Sequence, residues 1–331
     1  MATIGGSFLS LADHAKRMDP DGKVARIVEM LATKNSILDD AHWEEGNLPT
    51  GHRITARNGL PGLAWRRLNE GVAPTKSNTV QYDESCGILS GYSYVDPAVA
   101  KLNGNAQAFR ASEDMSFVAS MRRAAEDALV YASTKTNPER LLGLAPRLDS
   151  TSTSSAPSQI VKATTSASGS DQTSVYVVGW GPRKVYLTYP KASQAGISHT
   201  DLGDQLVPDS GGTNRFHALV SKWEWQLGLA VEDSRYLVRL CNIDTSATTY
   251  TGQALIIDLI RAVHQMQDLD SCRPIIYMNR TAMTLLQTQS VDAAKNGTLT
   301  YDNAGGRPVM QFMGIPVHRT DSILNTEAVV S

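Results

Sequence analysis

Carboxylates and histidines have the widest catalytic reach of any side chains, and this chain of 331 residues gathers them in two places. His42-Trp43-Glu44-Glu45 has metal-ligating types, but no second histidine stands at ligand spacing, so a solvated polar segment is the simpler reading. Asp201, Asp204 and Asp209 fall in a polar, glycine-containing loop whose spacing does not fit a calcium-binding loop. The seven histidines are scattered, and His264 sits inside a helical pattern, which suits a surface or satisfied core residue better than a general base. No Gly-x-Ser-x-Gly elbow, Walker loop, His-Glu-x-x-His pair or dinucleotide Gly-x-Gly-x-x-Gly occurs. No catalytic, cofactor-binding or metal-ligating residue is assigned, and the chain is read as a non-enzyme that needs no cofactor. Cys86, Cys241 and Cys272 are odd in number and far apart, as idle free thiols in a reducing compartment would be.

Arginines carry the sharper chemistry. In an extended strand Arg53, Thr55 and Arg57 share one face, while Ile54 and Ala56 take the other. Arg66 and Arg67 add charge beside Trp65, with Glu70 close behind. A guanidinium forks naturally onto a carboxylate, and a tryptophan next to it is a natural apolar anchor. Arg53, Arg57, Trp65, Arg66, Arg67 and Glu70 are therefore expected to form a contact with a neighbouring subunit. A solvated hairpin whose charges protect an edge is the plainer alternative, and a nucleic-acid contact is a third.

The element that must present these residues is the stretch 46–83. His52 to Arg57 reads as one strand, Asn58-Gly59 as a hairpin turn with Pro61-Gly62 beyond it, and Leu63 to Leu68 as the returning strand. Its large apolar side chains (Leu48, Ile54, Leu60, Leu63, Trp65, Leu68, Val72, Val80) are too few to offset the entropy of ordering so long a segment. Such a segment is either disordered or ordered against something outside its own domain.

The rest of the chain reads as an ordinary globular protein. It is 41% hydrophobic and 19% charged with a net charge of −2, which selects no partner and includes no polybasic tail. No apolar run approaches a membrane span, and the N-terminus lacks a secretory pattern. Val24, Ile27, Val28 and Leu31 make one amphipathic helical stripe within an arm covering 1–45. The spacing predicts a long helix from about Asn105 to Ser133, with Met115, Val118, Met121, Ala125, Leu129 and Ala132 on its apolar side. Ser112 is a candidate N-cap for its most regular part, and Asn137-Pro138 ends it. More than half of residues 150–174 are Ser or Thr, a loop or hinge composition. Strands are expected at 86–95, 175–178, 185–189, 223–231, 236–243, 275–278, 307–312 and 315–319. Two further helices are expected near 253–268 and 279–289. The mixture is α+β.

In this order the elements resemble the Hong Kong 97-like major capsid proteins of tailed bacteriophages, particularly those of short-tailed phages related to epsilon-fifteen and the Bordetella phages. The resemblance spans nearly the whole chain. It rests on the arm, the hairpin around Asn58-Gly59, the long helix, the exit Asn137-Pro138-Glu139-Arg140-Leu141-Leu142-Gly143-Leu144, and the C-terminal run Pro308 to Val317 followed by Arg319-Thr320-Asp321.

It implies an arm (1–45), an extended loop (46–83) lying over an adjacent subunit, and a peripheral domain (84–145) with a spine helix. An axial domain (146–300) and C-terminal strands (301–331) returning to the peripheral domain complete it. It also implies a virion shell of hexamers and pentamers around double-stranded DNA, held without sequence-specific binding and assembled in the host bacterial cytoplasm. A portal protein and a cement or decoration protein are implied partners. With only about 45 residues before the loop, a separate scaffolding protein is expected; no membrane is. The alternatives are a hydrolase built on the Asp201–Asp209 loop and nearby histidines, and a non-viral encapsulating shell.

Overall fold

The computed structural model describes residues 36–101, 106–152, 156–164, 169–209, 212–245, 254–292, 299–304 and 307–331. The expected helix at 24–31 lies outside them. The chain begins with helix α1 (Ser36–Asp40) and strands β1 (Trp43–Glu45), β2 (Gly51–Gly59) and β3 (Asn78–Val95). Helices α2 (Pro97–Lys101), α3 (Ala106–Tyr131) and α4 (Leu144–Arg147) follow, then strands β4 (Ile160–Lys162), β5 (Gln172–Trp180) and β6 (Val185–Tyr189). Next come β7 (Ile197–Pro208), β8 (Arg215–Val231) and β9 (Leu237–Asp244). The chain ends with α5 (Ala254–His264), β10 (Arg273–Met278), α6 (Arg280–Asp292), β11 (Leu299–Ala304), β12 (Arg307–Phe312) and β13 (Ile315–Arg319).

Two compact units result. One holds 88–125 and 194–226, the other 34–87, 126–193 and 227–331. Their boundaries fall within β3, α3 and β8 and near the start of β7.

The larger unit is built on a mixed sheet. β5 is buried along its whole length, which is why Val175 to Val178 reads as an unbroken apolar run rather than an alternating one. β9 and β10 flank it, both antiparallel. β13 pairs parallel with β10, and β12 turns into β13 through Met313-Gly314. Both turn residues have positive φ (52° and 79°), the conformation a two-residue hairpin requires. On the other side β6 pairs antiparallel with β8 and parallel with β1. The last residues of the expected arm are thus part of the sheet, and Ile37 and Leu38 are buried with the core.

A buried polar network closes this unit around the C-terminus. Arg239 and Glu327 are both nearly inaccessible and pair at 2.9 Å. Glu327 also accepts from Ser174 Oγ and Tyr131 OH, and Arg239 donates to the Leu148 carbonyl at 2.7 Å. Gly143 follows the end of α3 so closely that a Cβ there would lie 2.9 Å from the carbonyl oxygens of Ala128, Leu129 and Val130. No larger residue fits.

In the smaller unit Val95, Ala100 and Phe109 form the core, with Leu219 against them. Arg110 forks onto Asp201 at 2.8 and 3.1 Å and donates to Ser221.

The long helix matches its expected span closely, but two of its details need correction. Ser112 lies inside α3, which begins six residues earlier, so it caps nothing. Met115, expected on the apolar side, is 69% exposed. The polar 197–208 stretch, expected to be a loop, is strand β7, paired along its length with β8. Most of its side chains are exposed, so it carries no alternation for a sequence pattern to register.

Burial pushes the Cys86 thiol up to about 11 and raises Cys241 and Cys272 as well. At pH 8 roughly one Cys86 in a thousand would be thiolate, the reactive form. A thiol reagent is therefore expected to react slowly with the native chain and rapidly with all three cysteines on unfolding. A fast native phase would contradict these placements.

Candidate functional site

The hairpin carrying the arginines forms, but differently from its expected shape. β2 runs straight through Asn58-Gly59, with an irregularity between Arg57 and Gly59, and pairs with 78–85 of β3. Leu63 to Leu68 is not the returning strand. The register explains the choice: Ile54 faces Tyr82 and Ala56 faces Val80, so apolar side chains meet on one face. Val80 and Tyr82 are strand-favouring residues at alternating positions, and what they set opposite β2 decides the pairing. Pro61 and Pro74, without amide donors, keep the legs beyond the ladder from pairing. The turn at the tip is Arg67 to Glu70, with Asn69 at φ 67° and the Glu70 amide donating to the Arg67 carbonyl. Thr75 Oγ1 donates to the Gly62 carbonyl at 2.7 Å and ties the two legs together.

The base of the hairpin belongs to the subunit core. Ile54 is 2% exposed against Tyr186 and Ala230. Tyr82 donates its hydroxyl to the Val231 carbonyl at 3.0 Å, and burial raises its pKa. Gly51 passes so near Glu84 that a Cβ would lie 2.0 Å from its carbonyl oxygen. Glu84, buried, receives Arg147 through two hydrogen bonds of 2.6 and 2.7 Å, and the same guanidinium donates to the carbonyls of Leu142 and Leu229. This clamp sits where the hairpin leaves the body, 63 residues from its partner in sequence. The expectation that all of 46–83 depends on a partner is corrected: only the part beyond the ladder stands clear of the unit.

That outer part is apolar and bare. Leu63 is 95% and Trp65 102% exposed, and Leu60 and Leu68 are nearly as open. Arg66, Arg67 and Glu70 are exposed with them. Soluble monomers rarely present such a concentration of large apolar side chains. Of the six expected contact residues the structure gathers Trp65, Arg66, Arg67 and Glu70 at the tip, with Arg57 nearer the base. Arg53 is the exception: Nε and Nη2 donate to Asp83 Oδ1 and Oδ2 at 2.7 and 2.8 Å across the ladder. The Arg53 fork holds the Asp83 carboxyl below its ordinary pKa. Arg53 is thus engaged within its own hairpin, because the register sets it opposite Asp83.

The carboxylates weighed for hydrolysis are engaged elsewhere. Arg110 holds Asp201 below its usual pKa, the wrong direction for a general acid. Asp204 meets His217 at 3.1 Å on the β7–β8 ribbon, and Glu45 accepts from the Ala192 amide. Among the described residues no three His, Cys, Asp or Glu side chains are grouped to hold a metal, and no helix is long and apolar enough to cross a membrane.

A family model described as major capsid protein GP7 matches residues 19–331. A chain of the bacteriophage epsilon15 structure, obtained by cryo-EM and modelling, is 37% identical over 100% of this chain and 99% of its own, with a TM-score of 0.77. The bacteriophage JBD30 capsid is 12% identical over 90% of this chain and 95% of its own, with a TM-score of 0.51, and bears on the fold alone. No curated protein matches.

Proposed function

Because the chain belongs to the major capsid protein GP7 family, and is a capsid shell protein with the Hong Kong 97-like fold, we propose that its hairpin tip docks each copy onto a neighbour. The carrying observation is the tip itself: Leu63, Trp65 and Leu68 stand in solvent beside Arg66 and Arg67, on a base the subunit holds rigidly. Trp65 is the apolar anchor; Arg57, Arg66 and Arg67 seek carboxylates on the neighbour, and Glu70 a cation. Donor and acceptor surfaces differ, so the contact is head-to-tail and can close into rings. Copies arranged as hexamers and pentamers then enclose double-stranded DNA, and a net charge of −2 suits containment without tight binding. In this reading the long helix is the spine of a peripheral domain and the sheet around β5 belongs to the axial one. Scaffolding, portal and cement proteins are the further partners, and assembly takes place in the host cytoplasm before the chain enters the virion.

The family match favours this reading over a hydrolase or a non-viral encapsulating shell. Electron microscopy and light scattering of the expressed chain, alone and with a scaffolding partner, test it. Closed particles are expected. A chain that stays monomeric under every assembly condition would overturn it.

A further inference from the structure

We propose that Asn58-Gly59 is a self-modifying site, where the Asn58 side-chain amide turns spontaneously into a carboxylate through a cyclic imide. Water is the only co-reactant. The Gly59 backbone nitrogen attacks Asn58 Cγ, an intramolecular step helped by the proximity of the two atoms. The Cγ–Nδ2 bond breaks, and ammonia leaves with the proton of the attacking nitrogen. Water then opens the five-membered ring at one of two bonds. Breaking N–Cγ gives aspartate, and breaking the bond from N to the Asn58 backbone carbonyl carbon gives isoaspartate. Nothing is oxidised or reduced.

Three features of this position meet what the attack requires. The nitrogen must be unshielded, and glycine alone carries no side chain beside it. The amide must be free to turn: Asn58 is exposed, and its side chain makes no hydrogen bond among the described residues. The backbone must also rotate. Arg57 stands opposite Thr79 and Gly59 opposite Asn78, so Asn58 has no opposite residue, as in a bulge, and the ladder ends at the next pair. Backbone at the end of a ladder opens at little free-energy cost. Asn47, also exposed, lacks all three features. Its Oδ1 accepts from the Arg53 amide at 2.7 Å, its Nδ2 donates to the Arg53 carbonyl at 2.8 Å, and Leu48 follows it. The product is a carboxylate next to Arg57, in the hairpin proposed to dock onto a neighbour, and its consequence rests on that reading. Aspartate offsets one of the guanidinium charges, while isoaspartate lengthens the backbone where the leg leaves the ladder. Modified subunits should therefore assemble less well.

Peptide mapping by mass spectrometry, on free subunits held at mildly alkaline pH, tests the site through the mass gain of an amide-to-acid change. Asn103-Gly104 and Asn296-Gly297, outside the described residues, are read in separate peptides. The Asn58 peptide should convert at least about tenfold faster than the Asn47 peptide, a difference of about 1.4 kcal/mol in barrier. Gly59→Ala should bring Asn58 close to the rate of Asn47. That variant is expected to fold, because Gly59 does not have a positive φ and an added Cβ would lie 3.5 Å from Asn78 Cβ, an ordinary contact. Conversion at Asn58 no faster than at Asn47 would overturn the proposal, a comparison made on the unmodified protein whether or not the variant folds. Undiminished conversion in a folded Gly59→Ala subunit would overturn it too. Assembly of the same aged samples reads the consequence: lower particle yield is expected from the parent than from Gly59→Ala. Equal yields with Asn58 converted would leave the chemistry standing and count against a docking role for this part of the hairpin.

Discussion

Replacing Glu84 by Ala is expected to destabilise the subunit by about 3–5 kcal/mol, because it strands a buried guanidinium. Arg147 is only 11% and Glu84 6% exposed as side chains, so neither can reach bulk water without moving. Once the carboxylate is gone, Arg147 keeps two carbonyl acceptors, Leu142 and Leu229, but no counter-charge. Removing one partner of a buried pair costs far more than replacing both by apolar groups of similar size. Glu84→Met with Arg147→Met should therefore recover much of the loss, and that recovery distinguishes a desolvation penalty from simple loss of packing. Denaturant unfolding of all three proteins reads the difference, provided each unfolds in one transition. A Glu84→Ala subunit within 1 kcal/mol of the parent would mean that the pair is more hydrated than its burial indicates. The clamp also aims the hairpin, since Glu84 lies on β3 beside Gly51 at the point of departure. Weakening it should lower particle yield as well as subunit stability.

That clamp marks the limit of what the sequence made legible. Elements with strong local patterns were readable: α3, α5, β6, β12 and β13 fall close to their expected spans, since apolar period and turn residues are local signals. The family resemblance, resting on the order of those elements, held as well. Three features were not readable, each for a physical reason. β7 is exposed on both faces and so has no alternation. The partner of β2 depended on which downstream run could set apolar residues opposite Ile54 and Ala56, a comparison between distant segments rather than a property of either. The pairs Arg147–Glu84 and Arg239–Glu327 join residues 63 and 88 positions apart, and nothing in the surroundings of either arginine announces its carboxylate. Asn58-Gly59 is a turn preference and not a turn requirement: both residues are the last of β2, and the ladder ends at the Gly59–Asn78 pair with the turn eight to eleven residues beyond.

Trp65→Ala is expected to leave the free subunit as stable as before, within about 0.5 kcal/mol, while disabling assembly. The asymmetry follows from its exposure: a side chain that is 102% accessible contributes no burial to its own fold. Buried in a neighbour, a tryptophan anchor is commonly worth about 2 kcal/mol or more. A loss of that size raises the subunit concentration needed to form one contact by roughly thirtyfold. A shell copy makes its contacts in concert, so the whole particle should respond more steeply than any pair. Arg66→Glu with Arg67→Glu should weaken assembly by a different route, and salt separates the two. Salt screens charge repulsion across the contact over a decay length of about 10 Å at 0.1 M that shortens to about 3 Å at 1 M, whereas an apolar anchor is not weakened by it. The charge-reversed protein should therefore regain assembly as salt rises, and Trp65→Ala should not. Melting of the subunit and light scattering of the assembly reaction, measured on the same samples, check both. Were melting temperature and assembly to fall together in Trp65→Ala, the tip would belong to the subunit's own core in solution, and the rigid base with an outward anchor would be the wrong account of how the hairpin joins two copies.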